Sequence, residues 1–169
     1  MTMISQSDRM ASRLAFAIIF AASLSACSGQ PAVESRPAST ATVTQTPTSV
    51  AEQAASIALR QVGVPYRYGG NTPSGFDCSG LVHYSYQRAG KVVPRTTTQL
   101  WNATSAVDND DIRVGDLLFF RFDGKMSHVG MYVGGSRFVH APSSGKTVSV
   151  ESLSSDYYRR AFIRAGRPK

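Results

Sequence analysis

The stretch SHVGMYVGGSRFVH, residues 127–140, decides the fold. Ser127 to Val133 and Arg137 to His140 alternate in strand fashion, and Gly134-Gly135 between them suits a tight turn that needs positive φ. This is the signature of an antiparallel hairpin. Outward from it, Asp116 to Phe120 predicts a preceding strand, and Thr147 to Val150 and Tyr157 to Arg164 predict two following ones. Upstream the pattern is helical. Ser49-Val50-Ala51-Glu52 has the form of a capping box and opens a helix that Gly63 and Pro65 stop. A loop from Tyr66 to Asp77 leads to a second helix, Cys78 to Ala89, with Asp77 placed as its N-cap and Gly90 closing it. A third, weaker helix covers Thr97 to Ala103. Helices first and hairpin-linked strands afterwards make an α+β domain with an antiparallel sheet.

The whole chain has 169 residues, of which 42% are apolar and 17% charged. That apolar content is too high for a disordered chain. Two cysteines cannot build a disulfide scaffold or a Cys-rich zinc site. The formal net charge of +7 raises the question of an acidic partner.

The first cysteine belongs to an address. Arg9 and Arg13 precede an unbroken apolar run from Leu14 to Ala22, far short of the ~20 residues a membrane-spanning helix needs. Leu24-Ser25-Ala26-Cys27 then resembles a bacterial lipoprotein box, cleaved before a Cys whose thiol receives lipid. Residues 1–26 are therefore expected to be a signal peptide, and Cys27 a lipidation site. Ser28 after it resembles the cue that sends lipoproteins to the outer membrane of a Gram-negative cell, with the domain on its periplasmic face. Cleavage removes two arginines and one aspartate and lowers the charge from +7 to +6. Residues 28–48 carry Pro31, Pro37 and Pro47 among many Ser, Thr and Ala, with no aromatic residue, and read as a flexible tether. The folding unit is then 49–169. Nucleic acid is excluded as partner by this exported location, in spite of the basic balance.

The second cysteine opens a helix. Free N–H groups and the positive end of the helix dipole favour a thiolate there, and could also donate to a developing oxyanion. An exported protein normally pairs its thiols, so an unpaired Cys78 is a candidate nucleophile. A buried, inert Cys is the plain alternative. Among the three histidines, His83 lies five positions along the same helix, about 140° around its axis, and is expected to be structural. His128 and His140 fall near the same end of the hairpin, where they offer a base and an orienting group. Spacing alone equally allows two half-exposed imidazoles. No short-spaced ligand pair points to a metal. Trp101 is open between core and sugar-stacking platform.

The motifs PYRYGG (65–70), FDCSGLV (76–82), PRT (94–96), GDLLFF (115–120), SHVGMYV (127–133) and FVHA (138–141) occur in this order. Together they resemble the NlpC-type cell-wall peptidases, papain-like cysteine endopeptidases acting on peptidoglycan, and among them the small outer-membrane lipoproteins of the Spr and NlpC kind. The resemblance spans about residues 50–165. It implies N-terminal helices on a five- to six-stranded antiparallel sheet. It implies Cys78 as nucleophile, His128 as general base and His140 as the third polar residue. Tyr66 corresponds to a tyrosine near the oxyanion site, with a loop aromatic covering the helix as the alternative. Asp77 and Ser79 flank the nucleophile and are expected near substrate, although capping explains Asp77 equally well. Arg95 is expected to organise the loop after the second helix. No cofactor is implied, and the domain is expected to be a monomer that meets peptidoglycan peptides. Cross-links between stem peptides are the expected target. Cleavage between D-glutamate and diaminopimelate within one stem is the alternative, and a non-catalytic wall-binding scaffold is a third reading.

Overall fold

The computed structural model describes residues 48–169. The expected signal segment, Cys27 and nearly all of the expected tether lie outside them. The first helix, α1 (Val50–Leu59), starts at Ser49 with both arms of the expected capping box formed. Its Ala54, Ala55 and Ala58 are buried, a small-residue face that lets neighbours come close. At Gly115 a Cβ would lie 2.6 Å from that of Ala51, so this contact admits no side chain. The loop after α1 folds into a miniature antiparallel pair, β1 (Asn71–Thr72) and β2 (Gly75–Phe76). Then come α2 (Cys78–Arg88) and the short α3 (Thr97–Asn102).

The remaining elements are β3 (Thr104–Val107), β4 (Leu117–Phe122), β5 (Lys125–Gly134), β6 (Arg137–His140), β7 (Ser149–Ser152), α4 (Asp156–Ala161) and β8 (Phe162–Pro168). Six of the strands form one antiparallel sheet in the order β3-β8-β4-β5-β6-β7. Strand alternation divides its side chains between two cores. Leu117, Phe119, Val129, Met131 and Val139 pack with the helices. Leu118, Phe120, Phe138 and Ala165 form the second core with Ala161 of α4 and the ring of Tyr158.

The central hairpin forms where expected, with its turn one residue further on. Gly134 pairs with Arg137, so Gly135 and Ser136 make the turn with φ of 58° and 55°, while Gly134 itself takes φ 91° at a register shift. Asp123-Gly124 turns the β4–β5 hairpin in the same positive-φ manner, an Asp-Gly signal of the strongest kind. Two expectations are corrected. Tyr157 to Ala161 are helical, not a strand, because Ser155 caps the turn by accepting from the Tyr158 N–H, and the strand begins only at Phe162. The loop 66–77 is not irregular throughout, since it contains the β1–β2 pair. Strand β3 is an addition: short and half exposed, it pairs along β8 at the sheet edge.

Candidate active site

Asp77 organises the start of α2. Its Oδ1 accepts the Gly80 N–H at 2.7 Å and its Oδ2 the Gly69 N–H at 2.9 Å. Arg95 forks onto the same carboxylate at 2.9 and 2.7 Å, and also reaches the Ser79 hydroxyl and the Gly70 carbonyl. One arginine therefore ties α2 to the loop before it. Gly80 is required by this closeness, because a Cβ there would meet the Gly70 carbonyl oxygen at 2.0 Å.

Cys78 is the free thiol that results, at the first position of α2. Its Sγ lies 3.8 Å from the Thr97 hydroxyl, and backbone N–H groups of Val129 and Ser79 also reach it. The Val129 contact brings β5 against the helix end, next to His128. That residue's Nε2 is 2.7 Å from Nδ1 of His140, with the rings nearly perpendicular. Among the described residues Nδ1 of His128 makes no hydrogen bond, and His128 lines the same cavity as Cys78. The pair is diagonal across the β5–β6 hairpin, and Gly130 keeps that face open: a Cβ on it would meet the Phe138 ring at 2.5 Å. On its far side, His140 Nε2 is 3.4 Å from both the Ser149 and Tyr158 hydroxyls.

Burial sets the protonation states. It pushes the Cys78 thiol up, against the hydrogen bond from Thr97, and holds His128 down at about 4. His140 is held at about 3, by burial first and then by the charges of His128 and Lys146. Burial thus favours the neutral forms of both the thiol and the imidazole. It works against the thiolate expected at the helix start, while the Thr97, Val129 and Ser79 hydrogen bonds work for it.

Cys78, His128 and His140 line one cavity of about 650 Å³, walled further by Phe122, Tyr157 and Tyr158. A second hollow of about 490 Å³ lies beyond, lined by Tyr68, Asp77, Ser79, Arg95 and Thr97. Cys78, Tyr66 and Ser127 border both, so the thiol sits where two hollows meet. Among the described residues, no group of three His, Cys, Asp or Glu side chains is arranged to hold a metal.

The family model described as NlpC/P60 family matches residues 63–167. The chain belongs to the NlpC/P60 family. Its sequence is 41% identical over 115 residues to the murein DD-endopeptidase MepH of Escherichia coli, covering 64% of this chain and 42% of that protein. It is 36% identical over 109 residues to the gamma-D-glutamyl-L-lysine dipeptidyl-peptidase of Bacillus subtilis, covering 63% of this chain and 37% of that one. The chain spans about two fifths of the length of these relatives. The fold matches an NlpC/P60 family protein from Bacillus cereus with TM-score 0.67 and 32% identity over 72% of this chain and 41% of that one. It also matches the NlpC/p60 domain of the peptidoglycan hydrolase SagA, with TM-score 0.60 and 33% identity over 69% of this chain and 97% of that one.

Other polar groups of the NlpC/P60 domain serve the fold. His83 donates from Nδ1 to the Val93 carbonyl at 2.7 Å, away from the thiol. Trp101 meets Phe119 edge-on and is covered by the Arg164 guanidinium at 3.7 Å, so it is packed, not a platform. Arg167 forks onto Asp116 at 2.8 Å on both arms. Sequence reasoning missed Thr97, Ser149, Glu151 and Tyr158 around the site. Ser149 was within reach, since a hairpin continued past His140 must place some residue opposite it, and that residue is Ser149.

Proposed function

We propose that this domain is a cysteine peptidase that hydrolyses peptide bonds of peptidoglycan, with Cys78 as nucleophile, His128 as base and His140 as its orienting partner. The observation that carries this reading is the thiol seated where two hollows meet, beside an imidazole pair that leaves His128 Nδ1 free. A peptide laid through both hollows presents an internal bond to Sγ. In the reaction, Sγ attacks the carbonyl carbon while Nδ1 of His128 takes the thiol proton. The oxyanion faces the first N–H groups of α2, with Tyr66 alongside. His128 returns its proton to the departing amine, leaving a thioester on Cys78. Water then gives its proton to His128 and attacks, releasing the acid and restoring the thiol.

The favoured bond is the cross-link between stem peptides, in keeping with the relative named as a murein DD-endopeptidase. A second reading, cleavage within one stem, is favoured by relatives named as a DL-endopeptidase and a gamma-D-glutamyl-L-lysine dipeptidyl-peptidase. Digestion of purified sacculi by the wild type and by Cys78→Ala, with fragments identified by mass spectrometry, separates them. Loss of cross-linked dimers supports the first reading, and products cut within single stems support the second. Products that do not depend on Cys78 overturn both. We further propose that the mature protein is a lipid-anchored monomer on the periplasmic face of an outer membrane, held through Cys27. A Cys27→Ala protein should then leave the membrane fraction.

A further inference from the structure

The imidazole pair alone does not say which way its protons point. If His128 Nε2 donates to His140 Nδ1, then His128 Nδ1 carries a lone pair and can take a thiol proton. If His140 Nδ1 donates instead, His128 carries its proton on Nδ1 and cannot act as base. The choice is made on the far side of His140. There Nε2 faces two hydroxyls at 3.4 Å, those of Ser149 and Tyr158, and a hydroxyl can donate or accept. Ser149 is not free to choose. Its hydroxyl donates to Oε1 of Glu151 at 3.2 Å, and a carboxylate only accepts. The Ser149 oxygen therefore turns a lone pair toward His140, which must meet it with an N–H on Nε2. Nδ1 of His140 is then the acceptor, and Nε2 of His128 the donor.

We propose that Glu151 is a positioning residue that sets the proton arrangement of both histidines through Ser149, three hydrogen bonds away from His128. Ser149 and Glu151 are alternate residues of β7, on one face of that strand, and Ser149 is paired in register with His140. The β6–β7 ladder thus holds the device rigid. Tyr158, equally close, is the competing voice: as a donor to Nε2 it would enforce the unproductive arrangement. The inference rests on His128 being the base of the proposed reaction.

The test uses the full-length protein labelled with 15N, and reads the histidine tautomers by long-range 1H–15N correlation at pH 7. Alkylation of Cys78 by iodoacetamide at the same pH measures base function without substrate. In the wild type both rings are expected as the Nε2–H form. In Glu151→Leu no acceptor remains for the Ser149 hydroxyl, which is then free to donate to His140. Both rings should shift toward Nδ1–H, and alkylation should slow about tenfold, within the range a general base supplies. Ser149→Ala should lose the single tautomer as well, and Ser149→Thr should keep it. The proposal is overturned if the wild type shows Nδ1–H on His128, if Glu151→Leu leaves both tautomers and the alkylation rate unchanged, or if Tyr158→Phe shifts them while Glu151→Leu does not. Neither readout involves peptidoglycan, so they fail separately from the peptidase reading.

Discussion

At the scale of single residues, the site is governed by desolvation. His128 is only 6% exposed and His140 1%, and both are held well below the ordinary histidine value near 6.5. His128 thus stays neutral, and competent as a base, until the pH falls to about 4. The acid limb of kcat/KM is expected near that pH. A limb centred near 6.5, on a substrate whose own groups do not titrate there, would count against it. Since burial pushes the Cys78 thiol up, alkylation of the free enzyme should accelerate only toward or above the pH of an ordinary thiol. The same shifts bear on stability. The unfolded chain takes up protons on these histidines near 6.5 and the folded one resists until about 4 and about 3. Their neutral burial costs nothing in this linkage above 6.5, and stability is lost progressively as pH falls below it. Thermal unfolding followed from pH 7 to 4.5 should show this decline, and His140→Asn should make it shallower.

At the scale of elements, two close approaches carry the geometry. Gly130 lets the Phe138 ring lie across β5 and against His140. Gly130→Ala should destabilise by about 1–3 kcal/mol, typical of overpacking, and slow alkylation of Cys78 through displacement of β6. The other is the join of α2 to its loop through Asp77. Asp77→Ala removes a helix cap and strands the Arg95 fork, so urea unfolding should report a loss of about 2–3 kcal/mol, beyond the ~1 kcal/mol of a cap alone. Much of this level was legible beforehand. The capping box at Ser49, the glycines after Val133 and Asp77 before Cys78 are local signals whose physics is complete within a few residues. Tyr157-Tyr158 misled because aromatic pairs favour strands, whereas here a serine cap decided locally and the Tyr158 ring packs against His140. The burial that opposes a thiolate went unseen for a related reason: helix position is visible in sequence, but burial is a tertiary property. Ser149 and Glu151 carried no motif, and only strand pairing reveals them.

For the whole molecule, the basic excess proves less of a binding surface than the count suggests. Arg164, Arg167 and Arg95 are each engaged within the fold, by Trp101, Asp116 and Asp77. Arg167→Ala would leave Asp116, which is 2% exposed, without its fork, and should lower the unfolding midpoint without changing the cleavage products. Residues 49–169 expressed alone should unfold in one transition and give the same fragments from sacculi as the full chain. The sheet's two cores have a further consequence. The thiol rides on the helical layer, and the imidazoles are seated among the rings of the opposite face. Their alignment therefore depends on two separately packed halves meeting at one seam. Warming should misalign that seam while both halves still hold, so heat inactivation is expected at a lower temperature than the loss of the fold, leaving an intact but silent protein.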